Sequence, residues 1–189
     1  MNLTLQRRLG LAFLSAVTAR LIFHQLAATF TADDAFITFR YAENIALGLG
    51  FVYNEGERVL GTSTPLFTFI LATLSVLQVP IKTAALFVSL ACAGLTAAVL
   101  YRFAVLLRFS VWAFLPALLY ILWPRSLPAD ISGMETALFT LLVTAAFYYH
   151  HRDMYVYAVG LATLAVLTRP EGLLLLLIMV ASACYHDRG

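Results

Sequence analysis

Six apolar stretches, at about 9–30, 84–107, 111–127, 135–149, 155–168 and 172–185, constrain this chain more than any other feature of it. A helix crosses the hydrocarbon core of a bilayer with about 20 residues, and each stretch meets or approaches that length. A lipid-facing segment must satisfy its backbone polar groups internally, which leaves the α-helix as the form for runs of this kind. The composition agrees: 62% of residues are hydrophobic, 12% are charged and the mean hydropathy is +0.88, outside the range of an ordinary water-soluble domain. The expectation is an all-α, polytopic transmembrane helical bundle of about six spans, with residues 1–189 forming a single membrane domain.

A net charge of +2 arises from scattered arginines rather than a basic run, so no nucleic-acid surface is expected. Cys92 and Cys184 fall inside apolar segments, where a thiol behaves as a small buried hydrophobe, and no disulfide is expected. Arg7 and Arg8 before an apolar stretch imitate a signal peptide, but Arg20 and His24 interrupt that stretch and no small-residue cleavage site follows.

A further apolar stretch, 65–79, has only about 15 residues and ends at Pro80, the length of an interfacial or re-entrant helix. If it does not span, Arg7, Arg8, Arg102, Arg108, Arg152 and Arg188 all fall on the cytoplasmic side, as the positive-inside rule requires. That topology places three polar segments on the outer face: a first loop of about 31–82, the turn from Asp130 to Glu135, and Thr168 to Gly172.

The first loop opens on Asp33 and Asp34, followed by a helical pattern in which Arg40, Glu43 and Asn44 share a polar wedge and aromatic residues cover the rest. This pattern suits a helix in the headgroup layer, ending at Gly48. Paired carboxylates at that depth suit a transfer reaction, one accepting the proton of an acceptor hydroxyl while its neighbour orients it; the plainer role is capping by Asp33. Asn54 to Gly56 reads as a turn between two short extended pieces, a small hairpin. Glu135 begins a span, and Arg169 and Glu171 lie between two spans, where ionisable groups are costly and mark function unless they serve the helix dipole or reach back to the interface. Arg20 and His24, one turn apart, need a partner, and an inward-facing carboxylate is the expected one.

The ordered set DDAFITFRYAENIALGLGFVYNEGERVLGTSTPL, SGMETALF and LTRPEG, with spans between, resembles the GT-C superfamily of membrane glycosyltransferases. The nearest likeness is to bacterial enzymes of the arabinofuranosyltransferase and mannosyltransferase type. The resemblance covers about residues 20–176. It implies inverting transfer of a sugar from a polyprenyl-phosphate donor to a cell-envelope glycan, lipid or protein hydroxyl, on the extracytoplasmic face of the bacterial inner membrane. Under it Asp33 becomes the general base with Asp34 beside it, and Arg40, Arg58, Glu135, Arg169 and Glu171 become substrate-binding candidates. The departing lipid phosphate calls for a cation, and Arg169, Arg40 and Arg58 are the outer-face choices.

Asp33, Asp34 and Glu135 offer hard oxygens to a divalent cation without making a complete ligand set. Such enzymes are generally longer and carry more spans, so the resemblance implies the N-terminal portion of one. The competing readings are a lipid or small-solute transporter or flippase and an inactive truncated membrane protein. Matching halves with broken helices, the usual sign of a transporter, are not evident in the sequence.

Overall fold

Prolines and polar turns cut the apolar sequence into helices of very unequal length. The computed structural model describes residues 3–26, 31–57, 59 and 61–186. Its elements are α1 (Leu3–Leu26), α2 (Asp33–Ala46), α3 (Pro65–Val76), α4 (Ile81–Leu106), a 3-10 turn (Ser110–Trp112), α5 (Leu115–Leu122), α6 (Ser126–Ile131), α7 (Thr136–His150), α8 (Tyr155–Val166) and α9 (Gly172–His186). The fold is all-α, with no strand among the described residues.

Among the described residues, α1, with 24 residues, and α4, with 26, are long and apolar enough to cross a membrane by themselves. The other apolar stretches form shorter helices, so helix length by itself supports two of the six spans read from the sequence. The stretch 111–127 departs most: it divides into the 3-10 turn, an α5 of eight residues and the start of α6. Pro116 sits in the first turn of α5, and Trp123 before Pro124 is extended, the conformation that a following proline imposes.

The main helices alternate in direction. Thr4, Leu5 and Arg8 of α1 face Tyr101 and Val105 of α4 and Arg108 just beyond it, while His24 faces Lys82, Thr83 and Leu86, so the two long helices are antiparallel. At the far end of α4, Arg102 Nε donates to the Tyr148 hydroxyl of α7 at 3.3 Å, which makes α7 parallel to α4. Ser182 and His186 of α9 lie against His150 and Tyr155 at the turn between α7 and α8. Small residues permit close approach: Ala12 and Ala16 of α1 and Ala93, Ala97 and Ala104 of α4 are buried, and a Cβ on Gly94 would sit 2.5 Å from the Phe13 ring.

α3 behaves differently from its neighbours. Leu66 N–H donates to the Leu167 carbonyl at 2.9 Å, at the end where α8 finishes, and the chain leaving α3 begins α4 at that same end. Both termini of α3 thus abut one end of the bundle, in line with a helix that lies across it rather than through it.

Arg20 is fully buried. Its Nη2 and Nε donate to Asp130 Oδ2 at 2.8 and 3.1 Å, and Nη2 also donates to Ser126 Oγ at 3.2 Å. The Tyr120 hydroxyl donates to the same Oδ2 at 2.7 Å, and the guanidinium lies 4.5 Å from the centre of the Tyr120 ring. The carboxylate expected to face Arg20 is thus Asp130, and the pair clamps α1, α5 and α6 together. Burial pushes the Asp130 carboxyl up, and the hydrogen bonds from Tyr120 and Arg20 pull it back down.

Removing one member leaves a buried charge without its partner. Asp130→Ala is expected to lower the unfolding free energy in detergent by about 3–5 kcal/mol, and the paired change Arg20→Met with Asp130→Leu to recover most of that loss. Thermal unfolding of the purified variants measures both.

Candidate functional site

Three segments distant in sequence meet at one end of the bundle. Ala32 N–H donates to the Ser132 carbonyl at 2.8 Å, joining the approach to α2 with the turn between α6 and α7. Gly133, at φ +83, occupies a conformation that disfavours a side chain, and a Cβ there would meet Phe39, Ala35 and Thr31 within 3.3 Å. Arg169 Nε then donates to Glu135 Oε1 at 2.6 Å and Nη2 to Thr136 Oγ1 at 3.0 Å, tying the α8–α9 turn to the start of α7. The three polar segments singled out in the sequence are one surface.

Asp33 and Asp34 form the first turn of α2 and are exposed. The residue that caps this helix is Ala32, with no side-chain cap hydrogen bond, so the capping role considered for Asp33 is not the one it plays. Among the described residues neither carboxylate is engaged in an ion pair. Arg40 follows Asp33 by two turns, about 10 Å along the same helical face, and its Nε donates to the Tyr53 carbonyl at 3.3 Å.

The chain after α2 is strapped back onto it. Gly48 and Leu49 close the helix with bonds to the Ile45 and Asn44 carbonyls, the Schellman arrangement that a glycine in this position favours. Asn44 Nδ2 donates to the Val52 and Tyr53 carbonyls at 2.7 and 2.9 Å, the Tyr41 hydroxyl donates to the Val59 carbonyl, and Gly61 N–H donates to the Tyr41 hydroxyl at 2.7 Å. The turn at Asn54–Gly56 is present, but the described residues of its flanks pair with α2 side chains, and no hairpin is formed among the described residues. Side chains of one helix satisfy the loop backbone in place of a second strand. A buried trio of Thr38, Thr62 and Thr64 hydroxyls, 3.1 to 3.5 Å apart, fixes the far end of the strap.

The remaining candidates are distributed unevenly. Glu135, at the N-terminal end of α7, is buried and Arg169 half-buried, and the two form an ion pair. Glu171 is exposed on the same turn, and Arg58 lies outside the described residues. Among the described residues no cluster of three or more His, Cys, Asp or Glu could hold a metal ion, and Glu135 is committed to Arg169 rather than to the aspartate pair.

Sequence reasoning missed the feature that gives this surface depth. A cavity of about 280 Å³ opens between the end of α1, the start of α2, the start of α4 and the α6–α7 turn, lined by His24, Thr31, Phe39, Lys82, Thr83 and Gly133 among others. Thr31 stands two residues before Asp33. Lys82 Nζ lies 5.0 Å from the centre of the Phe36 ring, and His24 Nδ1 is buried without a hydrogen-bond partner among the described residues. The signal available beforehand was the placement of His24 and Lys82 at the two helix ends that border the first loop. The site therefore pairs exposed carboxylates with a cavity carrying an amine, an imidazole and two threonine hydroxyls.

The Glu135–Arg169 contact generates a prediction. Arg169→Ala strands a buried carboxylate and is expected to cost about 1–3 kcal/mol of stability, whereas Glu135→Gln with Arg169→Gln together cost less than the sum of the two single changes. A double-mutant cycle on thermal unfolding measures the coupling. The chain matches no family model, no curated protein and no solved structure.

Proposed function

We propose that this chain acts as a GT-C-type glycosyltransferase of the bacterial inner membrane. It transfers a sugar from a polyprenyl-phosphate donor to a cell-envelope hydroxyl on the extracytoplasmic face. The observation that carries the reading is the convergence of the Asp33–Asp34 turn, the Ser132–Glu135 turn and the Arg169 turn on one end of the bundle, beside a cavity with cationic lining.

In this reading α1, α4, the 3-10 turn with α5, α7, α8 and α9 cross the bilayer, the shorter ones completed by their flanking turns, while α2 and α3 lie in the outer headgroup layer. Large apolar side chains exposed along the outside, such as Leu14, Phe87, Leu119, Leu174 and Leu177, face acyl chains. The arginines at the starts of α1 and the ends of α4 and α7 lie opposite the site, on the cytoplasmic side.

The acceptor hydroxyl gives its proton to the Asp33 carboxylate as its oxygen bonds to the anomeric carbon. The bond from that carbon to the phosphate oxygen breaks with inversion, and the electron pair leaves on the polyprenyl phosphate. Asp34 positions the acceptor. Lys82 and His24, rather than the committed Arg169, face the growing phosphate charge, where a fixed cation contributes most. Arg40 and Glu171 border the acceptor side.

The test uses membranes containing this protein, supplied with radiolabelled polyprenyl-phosphate sugars. Asp33→Asn is expected to reduce label transfer by about 100-fold or more at matched expression, the range of general-base catalysis. Lys82→Ala is expected to reduce it by about 100-fold while leaving the protein monodisperse in detergent. Undiminished transfer by Asp33→Asn, or transfer by no protein with any donor, overturns the assignment.

A further inference from the structure

The end of the bundle opposite the candidate site carries a second cavity, of about 500 Å³, between the first turns of α1 and the last turn of α4. Arg8 and Arg108 line it together with Thr4, Tyr101 and Ser110. The two ion pairs among the described residues are Arg20 with Asp130 and Arg169 with Glu135, so neither Arg8 nor Arg108 is neutralised by a described carboxylate.

Tyr101 supplies an independent observation. It is 1% exposed and its ring packs 4.4 Å from that of Phe114, yet among the described residues its hydroxyl has no hydrogen-bond partner. That hydroxyl is not sealed off, because Tyr101 lines this cavity and a neighbouring hollow that continues from Arg8 and Ser110 over Val111 and Phe114. A tyrosine packed into the wall with its hydroxyl open to a cleft flanked by two guanidinium groups is arranged for an acceptor-rich anion, which phosphate provides. The 3-10 turn beside the cleft distinguishes the source of that phosphate. Its Ser110 and Val111 line the hollow, and its Val111, 85% exposed, and the adjoining Trp112, 67% exposed, are apolar and aromatic surface of the kind that sits at the level of lipid headgroups.

We propose that the cleft between the start of α1 and the end of α4 binds the phosphate of an anionic phospholipid, with Arg8, Arg108 and Tyr101 on the phosphate and Val111 and Trp112 along the acyl chains. The proposal rests on the membrane reading above and not on glycosyl transfer. It assigns the cytoplasmic end a lipid-recognition site separate from the outer-face cavity.

The chain contains two tryptophans, Trp112 and Trp123, so Trp123→Phe leaves a single reporter beside the cleft. In neutral detergent micelles, quenching of Trp112 by brominated phosphatidylglycerol is expected at roughly tenfold lower lipid concentration than by brominated phosphatidylcholine. Arg8→Gln with Arg108→Gln is expected to erase that preference, Tyr101→Phe to weaken it, and Arg152→Gln, outside the cleft, to leave it unchanged. Equal quenching by the two lipids, or the same loss in Arg152→Gln as in the double variant, overturns the site. Displacement of the lipid by millimolar inorganic phosphate overturns the lipid as its occupant. A monodisperse protein without detergent overturns the membrane reading itself, and because no outcome reads transfer, the site can fail while the transferase stands.

Discussion

Arg20 cannot be left alone in the interior of an apolar bundle, and the way it is satisfied governs much of what surrounds it. A buried guanidinium requires several acceptors at once, and here they come from Asp130, Ser126 and the aromatic face of Tyr120. Those groups lie more than a hundred residues along the chain, on α5 and α6, so one charge fastens the first helix to the middle of the sequence. Asp130 in turn sits two residues before Ser132, whose carbonyl holds Ala32, and five before Glu135, which holds Arg169. The clamp and the candidate site are successive links of one polar chain. Mutations at the clamp should thus be judged by their effect on the α6–α7 turn as much as by their effect on folding.

The parts of this architecture that were legible in the sequence are those controlled by local chemistry. Apolar runs gave the helices, the glycine at position 48 its helix end, and the stretch 65–79 a short helix closed before Pro80. The need of Arg20 for a carboxylate was readable from the cost of burying a charge, although not which carboxylate would meet it. What escaped were features made by tertiary contact. The strap after α2 looked like a hairpin because its turn residues are those of a hairpin, and only the approach of Tyr41 and Asn44 decides otherwise. The break within 111–127 was hidden because the apolar composition continues through it, while the prolines and the pull of Asp130 toward Arg20 set the geometry.

The candidate site was half visible for the same reason. Asp33, Glu135 and Arg169 stood out as ionisable groups bordering apolar runs, yet their relation to one another is a property of the packed bundle. Glu135 and Arg169 are committed to each other, which leaves Asp33, Asp34 and the exposed Glu171 as carboxylates outside the described ion pairs at the junction of the three turns. In the sequence His24 stood out only, with Arg20, as a group in want of a carboxylate; the packed bundle brings it instead to one cavity wall with Lys82.

The position of α3 has a bearing on how such a protein can change. Thr31 and Lys82 line one cavity, so the fifty or so residues between them leave the bundle and return to it at a single place. Altering the length or shape of that excursion does not reverse the direction of any later helix. The segment is in effect a cassette mounted on a fixed frame: its inner edge holds the aspartates, while its outer strap can vary in outline without disturbing the order of the helices beneath.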